Sequence, residues 1–221
     1  AGIELGLKGS IAVNDRMETS VPDIYAVGDA VQIKNFVTGK PALISLAGPA
    51  NKEGRIAADN ICGKESRYSG GQGSSVIKIF GMTAACTGIN ERTAKETGID
   101  ADKVILSPMN HAGYYPGGKI MTMKVIFEKG TYRLLGAQIA GSDGVDKRID
   151  VIAVALRAGM KATELAELDL AYAPPYSSAK DPVNMAGYII ENIRDGIVKQ
   201  WYYEEESVLP GDGSVTLLDT R

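Results

Sequence analysis

Histidine and cysteine are scarce in this sequence, one and two residues, so the candidates for chemistry are carboxylates and tyrosines in a few suggestive stretches. The apolar run Ile24-Tyr25-Ala26-Val27 ends in Gly28-Asp29. The glycine permits close backbone approach to a ligand, and the carboxylate behind it can accept hydrogen bonds from sugar or polyol hydroxyls. Two loops carry tyrosines: 111–118, with Tyr114 and Tyr115, and 171–182, with Tyr172 and Tyr176. A phenol can donate a hydrogen bond to a departing thiolate, or protonate it. Tyr-Tyr-Pro and Pro-Pro stretches serve equally as aromatic plugs and rigid turns. The single histidine, His111, has no cluster of Cys or carboxylates beside it, so no metal site is expected. Cys62 and Cys86 form neither a CxxC pair nor a disulfide framework, and both read as structural small hydrophobes.

The background is that of an ordinary globular protein. Of 221 residues, 44% are apolar and 23% charged. The net charge of −3 offers no basic footprint for nucleic acid. No apolar run has the length of a membrane span and no secretory signal opens the chain, so the cytoplasm is the expected compartment. The chain starts in mid-pattern at Ala1-Gly2-Ile3 and stops within an apolar stretch at 215–221, as a piece of a longer polypeptide would.

The elements that must position these side chains are set by pattern. Pro22 and Asp23 make a turn before a short strand, 24–27, read as covered on both faces. A loop with Gly39-Lys40-Pro41 leads to a helix over about 43–62, with Pro49 in its first turn and Gly63 to stop it. Ala47, Ala50, Gly54, Ala57 and Ile61 recur at helical spacing on one small-residue face. The Gly/Ser-rich stretch 68–75 is the best boundary in the chain. Beyond it come a strand at 76–80, a helix at 90–97 stopped by Gly98, and a strand at 104–106. A hairpin comes next, 119–127 and 132–140, turning at Lys129-Gly130-Thr131. A helix spans 145–156, with Val151, Val154 and Ala155 on one face, and Asp181-Pro182 opens a last helix over 183–193.

Residues 19–29, Thr-Ser-Val-Pro-Asp-Ile-Tyr-Ala-Val-Gly-Asp, resemble the second FAD-binding motif of the pyridine nucleotide-disulfide oxidoreductases, T-x-x-x-x-I-Y-A-x-G-D. The helix sequence Leu46-Ala47-Gly48-Pro49-Ala50-Asn51-Lys52-Glu53-Gly54-Arg55 resembles the family's L-A-x-x-A-N-x-x-G-R. The resemblance implies an α+β chain: a partial FAD-binding α/β segment over 1–68, then an α+β interface domain with a small antiparallel sheet and helices over 76–196. Residues 197–221 would be an acidic aromatic linker and the first strand of a rhodanese-like domain, on the short match Leu217-Leu218-Asp219-Thr220-Arg221 to L-L-D-x-R.

The same resemblance implies the functional residues. Asp29 would bond the ribityl chain of FAD next to Gly28, and Ala47 and Gly48 would offer backbone contacts to the pyrimidine side of the flavin. The tyrosine loops resemble the single-cysteine branch of CoA-disulfide reductases, NADH oxidases and peroxidases, and persulfide reductases. They assign catalytic roles to Tyr114 and Tyr172, with Tyr115 and Tyr176 as near alternatives; Lys180 is a candidate contact for CoA phosphates. The implied protein is a homodimeric flavoprotein passing electrons from NAD(P)H through FAD to a CoA-linked or inorganic sulfur substrate, with CoA a further ligand. An NADH oxidase or peroxidase, or a bare dimerisation module, are the alternatives. This sequence contains neither the family's redox cysteine in a Ser-Phe-x-x-Cys setting nor its G-x-G-x-x-G fingerprints, so by itself it is expected to be inactive.

Overall fold

Two sheets carry the chain, each with its own hydrophobic core. The structure, a computed structural model, describes residues 2–202, 212–216 and 218. The first sheet is small: β1 (Ile11–Ala12) runs parallel to β2 (Val31–Lys34), which pairs antiparallel with β3 (Pro41–Ala42). Helix α1 (Ala47–Ile61) packs on it, burying Ile56 and Ala57 against Met17, Val31 and Ile33. The second sheet is antiparallel throughout, formed by β4 (Ser75–Ile79), β5 (Met82–Gly88), β6 (Ala101–Leu106), β7 (Met121–Glu128) and β8 (Leu134–Gly141) in the order β4-β5-β8-β7-β6. Helix α2 (Glu91–Thr97) lies between β5 and β6 in the chain. Its Asn90 side chain accepts the Thr93 N–H, and Gly98, in the left-handed region, ends it. Helices α3 (Val145–Arg157) and α4 (Pro182–Arg194) cover one face of this sheet, and a 3-10 segment, Ala162–Glu167, connects them. The chain is thus mixed α+β, with the hairpin β7–β8 at its centre.

Several sequence expectations change here. Residues 24–27 form no ladder: Tyr25 makes one bridge to Glu18, and Ile24 and Val27 are exposed. The run lies instead against residues 17–19, where Ala26 N–H donates to Met17 O and Thr19 N–H to Ile24 O. Helix α1 begins at Ala47, and its buried row is Glu53, Ile56, Ala57 and Asn60, while Ile61 is exposed. In α3 the buried residues are Val145, Arg148, Ile149, Ile152, Ala155 and Leu156, so Ala155 is buried as expected while Val154 is 69% exposed. Val154 lies about 200° round the helix from Ile152, facing away from the sheet. Strand β5 escapes a reading by pattern because Ala84, Ala85, Thr87 and Gly88 offer no bulky alternation. Cys86 lies in it, with its sulfur 3.2 Å from Ser75 Oγ, whereas Cys62 is exposed at the end of α1 and fills no core. The Gly/Ser stretch at 68–75 is tied down: Gly71 N–H donates to Lys34 O, and Phe36 N–H to Gly71 O. The rhodanese-like reading of 215–221 falls mostly outside the described residues.

Helix α4 grips the chain just before the second tyrosine loop. Its Gly187 lies against the backbone of Ala166, where a Cβ would overlap the Ala166 nitrogen. The Asn184 side chain donates to Leu165 O at 3.0 Å and to Leu168 O at 2.9 Å. Gly187→Ala is expected to destabilise the fold by about 1–3 kcal/mol in urea or thermal unfolding, because two backbones must separate.

Candidate functional site

The two tyrosine loops meet. The hydroxyl of Tyr114 lies 2.8 Å from that of Tyr172, although 58 residues separate them. Both rings are open to solvent, Tyr114 at 77% exposure and Tyr172 at 46%. The bond from Tyr114 is the largest influence holding the Tyr172 phenol above the ordinary tyrosine range, followed by desolvation and by Tyr114's own charge. Tyr115 turns the other way, edge-on to the His111 ring at 5.7 Å. His111 is buried with Nδ1 3.1 Å from Ala112 O, and so packs the loop. Tyr176 and Lys180 are exposed and make no side-chain hydrogen bond among the described residues. Among these residues no group of three or more His, Cys, Asp or Glu is placed to hold a metal ion.

What brings the loops together is a buried arginine. Arg148, in α3, is 1% exposed. Its Nη2 donates to Asn110 O at 2.7 Å in the first loop, and to Ser177 Oγ at 3.1 Å and Asp181 Oδ2 at 3.0 Å in the second. Ser177 Oγ donates to the same Asp181 oxygen at 2.6 Å, and the Asp181 Oδ1 atom accepts Val183 N–H to cap α4. A direct backbone bond, Ala112 N–H to Ser177 O at 3.0 Å, joins the loops beneath the tyrosines. Asn110 closes its own loop by accepting Lys119 N–H and donating to Asp143. Sequence reasoning missed Arg148 and Asn110. The signal for Arg148 is a charge on the apolar row of α3, next to Ile149.

The second group forms round Gly28. Gly28 has φ +79°, a conformation that favours glycine, and opens a 3-10 turn, Gly28–Ala30, with Asp29 exposed. The Gly28 N–H donates to Glu53 Oε2 at 2.7 Å, and a Cβ on Gly28 would touch Ala50 Cβ at 4.0 Å. Glu53 is 1% exposed; burial raises its carboxyl above the usual range, the Gly28 N–H opposes this, and the charge of Asp29 adds to it. The start of α1 is open: its N-cap, Leu46, has no side-chain oxygen, so the amides of Ala47 and Gly48 lack a side-chain cap. Both residues are exposed, and nothing crowds Gly48 within 4 Å. No hydrogen bond joins this group to the tyrosine pair among the described residues.

The comparisons with known proteins bear on both groups. Residues 1–54 match the model "Pyridine nucleotide-disulphide oxidoreductase", and residues 74–182 match "Pyridine nucleotide-disulphide oxidoreductase, dimerisation domain". The chain belongs to the pyridine nucleotide-disulphide oxidoreductase family. Within that family it is 38% identical over 189 residues to a coenzyme A disulfide reductase of Staphylococcus aureus, covering 85% of this chain and 43% of that protein. It superposes on the reduced CoADR-RHD of Bacillus anthracis with a TM-score of 0.91 and 48% identity, covering 94% of this chain and 38% of the other. It also superposes on a NAD-dependent persulfide reductase from A. fulgidus with a TM-score of 0.87 and 44% identity, covering 90% and 37%. The chain thus spans less than half the length of these relatives. An exposed carboxylate on a glycine turn, beside two uncapped amides with minimal side chains, fits the polyol and ring-edge chemistry of a flavin.

The phenol pair makes a direct prediction. Replacing Tyr114 by Phe removes the main cause of the raised Tyr172 titration, so Tyr172 is expected to ionise at lower pH than in the native protein. A difference titration of tyrosinate absorbance between the native and Y114F proteins checks this.

Proposed function

We propose that this chain is the carboxyl-terminal part of a flavoprotein that carries electrons from NAD(P)H through FAD to a CoA-linked disulfide, persulfide or polysulfide. One observation carries the reading: the 2.8 Å contact between Tyr114 and Tyr172 places two phenols together at the surface of a chain similar to a CoA disulfide reductase. When bound, FAD supplies the two-electron relay between nicotinamide and sulfur. Asp29, beside Gly28, would accept hydrogen bonds from the ribityl hydroxyls. The amides of Ala47 and Gly48 would meet the pyrimidine edge, where the positive end of α1 would favour negative charge.

The tyrosines handle the sulfur. Cleaving an S–S bond with two electrons leaves a thiolate, which needs a hydrogen-bond donor or a proton. In a hydroxyl pair one phenol donates to the other, leaving the second O–H free to turn to the sulfur. A tyrosine is protonated at neutral pH, so either phenol can supply that O–H. Division of the chain into 1–68 and 76–196 assigns the flavin contacts to the first part and the tyrosine loops to the second. The resemblance to CoA-disulfide reductases implies that Tyr114 and Tyr172 serve the active site of a second subunit in a homodimer. The sequence at 215–221 favours a rhodanese-like continuation, and the cytoplasm is the compartment this chemistry suits. Without a glycine fingerprint for the adenine end of FAD, this chain alone is inactive.

The test uses the intact flavoprotein with CoA disulfide, polysulfide, peroxide and oxygen as acceptors for NADH. The double variant Y114F/Y172F is expected to lower turnover with the sulfur acceptors by about a hundredfold or more, leaving flavin reduction by NADH unchanged. A preference for oxygen or peroxide, indifferent to the double variant, contradicts the proposal.

A further inference from the structure

We infer that Glu53 is a positioning residue for the flavin site, holding the Gly28-Asp29 turn against the start of α1 so that the ribityl-binding carboxylate and the helix amides keep one fixed spacing. The inference rests on the flavoprotein reading and extends it to a residue that touches no cofactor in that reading.

The geometry is specific. Glu53 reaches out of α1 with its side chain enclosed, and its Oε2 takes the N–H of the residue immediately before Asp29, at 2.7 Å. Along the helix Glu53 lies about 9 Å from Ala47, less than two turns. The turn is therefore fastened close to the uncapped amides. The turn also lies close to the helix one turn earlier, since a Cβ placed on Gly28 would reach Ala50 Cβ at 4.0 Å. The charge of Glu53 also reaches Tyr68, a buried phenol raised first by desolvation and then by Glu53, with Arg157 opposing. Packing alone does not account for a carboxylate here. An enclosed carboxylate carries a desolvation cost, and an apolar side chain would fill the same row of α1 without it. What the carboxylate adds is an acceptor for a backbone N–H that the left-handed turn leaves without a ladder partner. Asp29 is exposed, so its position depends on how firmly Gly28 is held.

The test measures FAD affinity by flavin fluorescence, and the visible spectrum of bound flavin, in the intact protein carrying E53A, E53Q or E53D. E53A removes the acceptor and is expected to weaken FAD binding by about tenfold and to alter the spectrum of residual bound flavin. E53Q keeps an oxygen for Gly28 N–H and is expected to stay within about threefold of native, a rescue that a purely electrostatic role would not give. E53D shortens the reach and is expected to behave like E53A; it carries the test if E53A does not fold. Native-like affinity and spectrum in E53A or E53D, or a loss in E53Q equal to theirs, overturns the role of Glu53. A native protein that neither retains nor takes up FAD overturns the flavoprotein reading itself, a result separable from the others.

Discussion

The ion pair between Arg148 and Asp181 is the constraint on which the tyrosine site depends. A guanidinium does not give up its proton, so once buried it must find acceptors in a fixed fan around its plane. Here those acceptors come from three parts of the chain: Gly144 O at the start of α3, Asn110 O in the first loop, and Ser177 and Asp181 in the second. Desolvation of the pair is expensive, and two further donors complete the carboxylate: Ser177 Oγ on the oxygen that Arg148 Nη2 holds, and Val183 N–H at the α4 N-terminus on the other. The pair thus contributes geometry more than net stability. It fixes where two irregular loops cross, and the hydroxyls of Tyr114 and Tyr172 sit at the exposed end of that crossing.

A similar device recurs at the Gly28 turn with the opposite charge. Glu53 is an enclosed anion that takes one backbone N–H, where Arg148 is an enclosed cation that takes several oxygens. Each lies on the inner row of a helix, and each fastens a loop bearing exposed, chemically able side chains. Helices and sheets supply rigidity; the buried charges pass it to segments that have no ladder of their own.

Much of the fold is legible in the sequence wherever local chemistry decides structure. Asn90 and Gly98 mark the two ends of α2, Asp181-Pro182 opens α4, and Gly130 turns the central hairpin, because caps and turns are set within a few residues. The family resemblance singles out Tyr114 and Tyr172 as a pair, but nothing local can say that their hydroxyls meet across 58 residues. Strand β5 is hidden by its small residues, and 24–27 looks like a buried strand because an apolar run is silent about its neighbours. Counting apolar residues alone misjudges the buried faces of α1 and α3, since it leaves out Glu53 and Arg148. Both stand in register with buried aliphatic side chains, and a charge in that register is the legible sign.

Whether Arg148 sets the tyrosine contact is addressed most directly by one measurement. Tyrosinate titration of an Arg148→Met protein, with the fold monitored by circular dichroism, reads the Tyr114–Tyr172 bond without any substrate. If Arg148 clamps the loops, Tyr172 ionises at a lower pH than in the native protein while the sheet signal persists. A folded R148M protein in which Tyr172 titrates as it does in the native chain would contradict that role for Arg148.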